Sequence, residues 1–192
     1  MSYKEDIVNK NLELLDDIYI TEKVSVIPSF DDKRLKFGSK GLSFDATVLY
    51  IDIKNSSLLL NHYTPKVLAK IHMNIFNTVS QIASIYSGEV RSFNGDSLIV
   101  FFKDTGKTVI NSAVQAALVI KYMLAINEKS LNKYLLSKYG NSIDFGIDCG
   151  TVLCSKMCSG GGNNSSLIFS GNYVNKASII SKLSISKQHW YF

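Results

Sequence analysis

Residues 88–102 read GEVRSFNGDSLIVFF and carry the strongest fold signal in the chain. Two runs rich in β-branched and aromatic residues flank Asn94-Gly95, a pair that favours the tight turn of a β-hairpin. The segment therefore predicts two antiparallel strands, with Asp96 at the tip of the hairpin that they form.

The segments around this hairpin predict an alternating α+β domain. Strands are indicated where β-branched and aromatic residues concentrate, at residues 46–53, 142–148 and 167–169. Helices are indicated where apolar residues recur at helical spacing, at residues 64–88, 107–127 and 172–183. The first of these helices begins with Thr64 as N-cap and Pro65 as first residue, and Gly88 is expected to end it. The resulting order, βαββαβ, is that of ferredoxin-like or palm folds.

The 192 residues suit one domain with an N-terminal arm. Residues 1–43 form the predicted arm, with a short amphipathic helix at 3–16 and a linker at 28–44, and residues 44–192 form the predicted domain. Hydrophobic residues make up 46% of the chain and charged residues 19%, which excludes a disordered composition. The strand-like stretch at 188–192 leaves room for an incomplete C-terminal end.

Composition gives weaker signals about partners and location. No apolar run approaches the roughly 18 residues of a membrane span, and no signal peptide is evident, so a cytoplasmic protein without a membrane partner is expected. The net charge of +5 favours an anionic partner, and an ordinary basic surface explains it equally well. Cys149, Cys154 and Cys158 lack a nearby fourth ligand for zinc and do not suggest a disulfide framework.

Two carboxylates are expected to meet at one edge of the sheet. Asp52 ends the first strand of the domain, and in a palm fold the hairpin carrying Asp96 pairs beside that strand. Two such carboxylates suit a pair of Mg²⁺ or Mn²⁺ ions roughly 3.5 to 4 Å apart. On spacing alone, a turn-forming Asp96 and a strand-ending Asp52 without any metal are equally favoured.

Four segments in the same order resemble class III nucleotidyl cyclases. They are ATVLYIDIKNSS at 46–57, GEVRSFNGDSLIVFF at 88–102, FGIDCGTV at 145–152 and GNYVNKA at 171–177. The resemblance implies a nucleoside triphosphate as substrate and no nucleic acid as partner. It also implies a head-to-tail homodimer with its active sites between the subunits.

The resemblance assigns roles to individual residues. Asp52 and Asp96 would bind two divalent cations, Mn²⁺ or Mg²⁺, together with the backbone carbonyl of Ile53. Asn175 would contact the ribose or the transition state from the other protomer. The triphosphate would lie at the start of a helix, where backbone amides favour anions, at Asn55, Ser56 and Ser57.

The residues that read a purine base in this family are missing. Ser92 stands where purine cyclases carry a lysine or glutamate, and Ile168 stands where they carry an aspartate or threonine. A purine would then leave polar groups unsatisfied, at a cost of roughly 1 to 3 kcal/mol for each group. Tyr50 is predicted on the same face as Asp52, where its bulk would favour a smaller base, although a core position is the alternative.

These departures, with the DIKNSS run at 52–57 and Arg91, resemble the pyrimidine cyclases of the bacterial Pycsar phage-defence system. Such lyases make cyclic UMP or cyclic CMP, which activates a separate effector protein in antiviral defence. UTP is the favoured substrate. CTP stays open, because Ser92 can donate or accept a hydrogen bond and Arg91 and Asn94 can donate one.

One further mismatch concerns the transition state. The arginine of the family falls at Ile179, and Lys182, on the helix face of Asn175, is the predicted replacement. The alternatives are an adenylate or guanylate cyclase, and a degenerate nucleotide-binding regulatory domain without turnover.

Overall fold

The computed structural model describes residues 3–126, 142–158 and 165–183, so the strand-like stretch at 188–192 lies outside the described residues. The helices are α1 (Tyr3–Asp16), α2 (Ser56–Leu59), α3 (Pro65–Ile85), α4 (Lys107–Ile126) and α5 (Asn172–Lys182). The strands are β1 (Ile20–Lys23), β2 (Lys40–Lys54), β3 (Gly88–Asn94), β4 (Ser97–Lys103), β5 (Ser142–Cys158) and β6 (Ser165–Ser170).

The strands form one sheet in the order β3-β4-β2-β5-β6, and β1 pairs in parallel with the start of β2. The other neighbouring strands are antiparallel. Strands β2, β3, β4 and β5, with α3 and α4 between them, form the predicted βαββαβ core. The α+β prediction is thereby confirmed.

The two faces of the sheet are covered differently because side chains alternate along each strand. On one face, Leu49 and Ile51 pack with Ile75 of α3 and Ile120 of α4. On the other face, Val48 packs with α5 and with a segment that follows β1. Tyr50 and Asp52 share this second face, so it is the face that holds the candidate site.

The segment after β1 is part of the second core, the cluster of buried residues that contains Val48 on the second face of the sheet. Val24, Ile27 and Leu35 are buried against it. Strand β2 begins at Lys40, within the stretch 28–44 that the sequence predicts as a linker. The predicted helix at the start of the arm is confirmed as α1, and it buries none of its residues.

The hairpin and the helix before it match the elements that the sequence predicts, except at Gly88. Asn94 pairs with Ser97, so Gly95 and Asp96 are the two loop residues, and only Gly95 has a positive φ, 63°. Helix α3 begins as predicted but ends at Ile85, before Gly88. Gly88 instead begins β3, where a Cβ would lie 2.7 Å from the ring of Phe102. The glycine is needed for close packing, so its predicted role as helix terminator is wrong.

Cys149 and Cys154 are free thiols, and burial raises the pKa of Cys154 to about 12, so its thiol stays protonated. Within the described ranges, no helix is both long and apolar enough to cross a bilayer.

Candidate active site

The two predicted metal-binding aspartates lie next to each other where β2 meets the β3–β4 hairpin. Asp52 is the Cα partner of Ser97, the residue after Asp96. The backbone N–H of Ile53 donates a hydrogen bond to the backbone carbonyl of Asp96 over 3.2 Å. Because the N–H and C=O of a strand residue point toward the same neighbour, the Ile53 carbonyl also faces the hairpin. The structure brings together the three groups expected to hold metal, and that role stays a prediction.

The charges around Asp52 favour a bound cation. Burial raises the pKa of Asp52, and the neighbouring carboxylates of Asp96 and Asp144 raise it further. Lys182 lowers this pKa, which places its ammonium group within electrostatic reach of Asp52. A divalent cation between the carboxylates would remove the repulsion that raises the pKa.

Ser56 fixes the carboxylate at the hairpin tip. Its hydroxyl donates a hydrogen bond to Oδ2 of Asp96. Asn55 precedes α2 with φ 57°, a left-handed conformation, and makes no side-chain cap. The backbone amides of Ser56 and Ser57 stand in the first turn of α2, where a helix offers no internal acceptor. The sequence predicted the amides as anion ligands but missed the hydroxyl of Ser56.

Asp144 is a third carboxylate that sequence reasoning missed. It is the Cα partner of Asp52 on β5, so both side chains lie on the same face of the sheet. The ammonium Nζ of Lys54 lies 4.0 Å from Oδ2 of Asp144. Strand alternation gives the face of Asp144, but only the β2–β5 register shows that it opposes Asp52.

Tyr50 points toward the hairpin side of the site. Its hydroxyl donates a hydrogen bond to Oγ of Ser97 over 3.0 Å, and Ser97 Oγ in turn donates to the carbonyl of Asn94 over 3.1 Å. The phenol therefore spans from its own strand to the residue opposite Asp52. Its place on the predicted face fits a space-filling role, and its ring also packs against the second core.

A groove of about 330 Å³ contains one of the two predicted base-reading positions. Arg91 and Ser92 on β3 and Leu167 on β6 line it. These strands are the opposite edges of the sheet, so the sheet must curl to bring them together. Ile168 is not among the lining residues and is 45% exposed, while its neighbour Leu167 packs on the second core. Within one chain, the structure does not bring Ile168 together with Ser92.

Arg91 is the extra residue of a β-bulge. Val90 pairs with Val100 and Ser92 pairs with Ile99, which leaves Arg91 without a direct partner on β4. Its Nε donates a hydrogen bond to the carbonyl of Pro28 over 3.1 Å, and its guanidinium pairs with Glu89. Arg91 thus anchors the N-terminal segment at the groove, a contact that the sequence could not predict.

Helix α5 carries the remaining predicted residues and crosses β5 closely. A Cβ on Gly146 would lie 1.8 Å from the carbonyl oxygen of Ala177, so only glycine permits this approach. Asn175 and Lys182 are both exposed, and the charge of Lys182 acts on Asp52 of its own chain. The contact of Asn175 with substrate held by a second protomer stays a prediction.

The available donors suit Mg²⁺ or Mn²⁺, which keep water and substrate ligands, better than a metal ion that protein side chains alone coordinate. In the described part of the chain, no three His, Cys, Asp or Glu side chains form a ready metal-binding group. Two carboxylates and a backbone carbonyl would leave the other positions to water and to substrate phosphates, the usual arrangement for Mg²⁺ at nucleotide sites. All of these donors are oxygens, which such hard cations prefer.

Two proteins with sequences similar to this chain are uridylate cyclases. The chain is 30% identical over 188 residues to the uridylate cyclase of Rhodovulum sp. (strain MB263), covering 95% of this chain and 76% of that protein. It is 26% identical over 155 residues to the uridylate cyclase of Xanthomonas perforans, covering 80% of this chain and 65% of that protein. No protein-family model matches the chain.

Solved structures share the fold at lower sequence identity. The adenylyl cyclase CyaB from P. aeruginosa superposes with a TM-score of 0.61 at 23% identity, covering 72% of this chain and 71% of that chain. A non-canonical dimeric guanylyl cyclase domain, from the RhoGC fusion protein of Blastocladiella emersonii, superposes with a TM-score of 0.58 at 17% identity, covering 73% and 75%. These likenesses show the fold, whereas the sequence relatives show the family.

Proposed function

The chain belongs to the class III nucleotidyl cyclases, and from that membership we propose that it converts UTP into 3′,5′-cyclic UMP and pyrophosphate. The observation that carries this proposal is the meeting of Asp52 and Asp96 on a sheet face whose base groove presents Ser92. The names of the sequence relatives support a uracil base.

Asp52, Asp96 and the Ile53 carbonyl would hold two divalent cations, Mn²⁺ or Mg²⁺. When bound, such cations make the ribose 3′-hydroxyl easier to deprotonate and offset the charge of the phosphates. Ser56 restrains the Asp96 carboxylate through its hydrogen bond. The amides of Asn55, Ser56 and Ser57 would receive the triphosphate, because the start of a helix favours anions.

The cyclisation itself is an in-line displacement. The ribose 3′-hydroxyl gives up its proton to solvent and its oxygen forms a bond to the α-phosphorus. The bond between that phosphorus and the oxygen bridging to the β-phosphate breaks and releases pyrophosphate. Lys182 would stabilise the negative charge that develops on the phosphoryl oxygens, in place of the arginine absent at Ile179. Asn175 would orient the ribose.

The base end of the site is built for a small ring. Ser92 offers a hydroxyl that can donate to O4 of uracil, and Arg91 stands beside it in the groove. Ser92 and Ile168 stand in place of the lysine or glutamate and the aspartate or threonine with which purine cyclases read the base. The ring of Tyr50 takes up space on the sheet face that also carries Asp52, and this loss of space also works against a purine.

We expect a head-to-tail homodimer with two equivalent sites. Asn175 is exposed on α5, where a second subunit can be reached, and one structural neighbour is itself described as dimeric. By resemblance to the Pycsar cyclases, cyclic UMP would act on a separate effector protein in antiviral defence.

The decisive experiment identifies the product. The protein is incubated with Mn²⁺ and equimolar UTP, CTP, ATP and GTP, and the cyclic nucleotides are separated by chromatography and identified by mass. Cyclic UMP should dominate. If cyclic CMP, cyclic AMP or cyclic GMP is the main product, the substrate is the corresponding triphosphate rather than UTP. If no nucleotide gives a cyclic product, a regulatory domain without turnover is favoured.

Variants connect the product to the site. Asp52→Ala and Asp96→Ala should abolish pyrophosphate release, whereas Asp148→Ala should not, because Asp148 pairs with Val48 at a distance from the carboxylates. Tyr50→Ala should raise the share of purine product, and Tyr50→Phe should leave selectivity unchanged because it keeps the ring. Turnover that survives both aspartate variants would contradict the proposed site.

A further inference from the structure

The groove beside Ser92 has a wall that comes from outside the cyclase core. Besides β3 and β6, the segment between β1 and β2 lines it through Ser29 and Phe30. This segment was expected to be a linker. Its position at the groove suggests that it contributes to recognition of the base.

The segment is fixed at this place by contacts on both sides of Phe30. Ile27 is buried before it and Leu35 after it, each in the second core. The Pro28 carbonyl accepts the 3.1 Å hydrogen bond from Nε of Arg91. Phe30 is therefore held by its neighbours rather than by its own burial, since its residue is 41% exposed.

Lys156 makes a cation–π contact with the Phe30 ring. The ammonium Nζ of Lys156 lies 4.6 Å from the centroid of the Phe30 ring. Lys156 pairs with Leu167 across β5 and β6, but unlike Leu167 it does not line the groove. Phe30 thus both borders the groove and accepts a cation–π contact from Lys156.

A partly exposed aromatic ring beside hydrogen-bonding groups is what a nucleobase requires. Stacking of a base on an aromatic side chain stabilises binding without depending on hydrogen bonds, while the edge of the base needs polar partners. Ser92, Asn94 and Arg91 line the groove and supply such partners. The groove volume of about 330 Å³ lies at the lower end of the range for small-molecule sites, which suits a single ring.

We infer that Phe30 is a specificity-determining residue that stacks on the pyrimidine ring of the substrate. The inference rests on the proposed function, since it assigns the groove to the base of the nucleotide. It makes the segment between β1 and β2 part of the active site rather than a tether. A phenylalanine there contacts the substrate and favours a base small enough to lie between the ring and β3.

The test compares two phenylalanines of the same segment. Phe30 and Phe37 are both 41% exposed, and Phe37 does not line the groove. Phe30→Leu keeps an apolar side chain but removes the aromatic face, and it should raise KM for UTP about tenfold with little change in kcat. Phe30→Trp should keep the low KM, and Phe37→Leu should match the unaltered protein. Binding of 3′-deoxy-UTP, which cannot cyclise, gives a second readout that is independent of turnover.

The outcomes separate this inference from the proposed function. If the unaltered protein cyclises UTP and Phe30→Leu has the same KM and the same affinity for 3′-deoxy-UTP, Phe30 does not stack on the base. If Phe37→Leu weakens binding as much as Phe30→Leu, the effect is structural and the inference is overturned. If the unaltered protein neither binds nor cyclises UTP, the proposed function fails, and the stacking role fails with it.

Discussion

The hydroxyl of Ser56 donates a hydrogen bond to the carboxylate of Asp96, which joins the start of α2 to the tip of the β3–β4 hairpin. Asp96 stands next to Ser97, and Ser97 is paired with Asp52. The Ser56 contact therefore sets the direction of one carboxylate relative to the other. The position of the proposed metal ligands depends on a side chain that is itself no ligand.

We expect Ser56→Ala to weaken metal binding. A hydrogen bond to a charged group contributes roughly 1.5 to 3 kcal/mol, and part of that would be lost from the restraint on Asp96. The Mn²⁺ concentration for half-maximal pyrophosphate release should rise about tenfold, since about 1.4 kcal/mol corresponds to a factor of ten. Ser57→Ala is the matched control, because it keeps the backbone amide and removes an exposed hydroxyl. Equal metal dependence of the two variants would contradict a role for the Ser56 hydroxyl.

Replacement of Lys182 should lower kcat rather than raise KM. Lys182 lies within electrostatic reach of Asp52, and a positioned cation in phosphoryl transfer can contribute a factor of 10³ or more. We expect Lys182→Ala to reduce kcat about a hundredfold or more and Lys182→Arg to restore most of it. Lys176→Ala should have little effect, because Nζ of Lys176 lies 5.8 Å from the ring of Tyr173 and serves a different contact. A kcat that is equal in the Lys182 and Lys176 variants would remove Lys182 from the reaction.

The Asp52 carboxylate should destabilise the metal-free protein near neutral pH. Its pKa in the folded chain is raised above the ordinary value of 3.8, so at pH values between the two pKa values the folded state holds a proton that the unfolded chain has lost. This contribution to stability is fully present below pH 3.8 and disappears as the pH rises through the folded-state pKa. With a chelator present, Asp52→Asn should therefore raise Tm at pH 7, and the difference should shrink toward pH 4.

Asp45 provides the control of opposite sign. Hydrogen bonds from Lys23 and Thr151 lower its pKa, so its contribution is present above pH 3.8 and is lost as the pH falls through the folded-state value. Asp45→Asn should not raise Tm at pH 7. Thermal unfolding of both variants from pH 4 to pH 8 checks the signs, and a lower Tm for Asp52→Asn at pH 7 would contradict the charge repulsion described above.

Gly146→Ala should displace α5 and with it Lys182. The added Cβ would lie 1.8 Å from the Ala177 carbonyl oxygen, and backbone cannot yield as a flexible side chain does. Overpacking of this kind costs roughly 1 to 3 kcal/mol, so Tm should fall and kcat should fall with it. Gly106→Ala is the control, because a Cβ there meets nothing within 4 Å. A stable and active Gly146→Ala protein would show that α5 can move without loss.

The sequence predicts the elements of the core well and the contacts between distant elements poorly. The hairpin at Asn94-Gly95 and the start of α3 at Thr64-Pro65 follow from local backbone preferences, and both occur as predicted. Gly88 shows the limit of local patterns. A glycine is needed at this position because the ring of Phe102 packs closely against it from the neighbouring strand. Asp144 was missed for a similar reason, since only the pairing of β5 with β2 places it opposite Asp52.

The sequence by itself determined the βαββαβ order, the membership of the family and the approach of Asp52 to Asp96. The order follows from turns and from strand and helix patterns that lie within short stretches of chain. The approach of Asp52 to Asp96 follows from the palm topology that the family resemblance implies, which pairs β2 with β4. Only the tertiary structure decided that Ser56 holds Asp96, that the bulge turns Arg91 toward Pro28, and that Phe30 borders the groove. The physical reason is that the curl of the sheet and the packing on its second face arise from contacts between residues far apart in the chain, which no local pattern encodes.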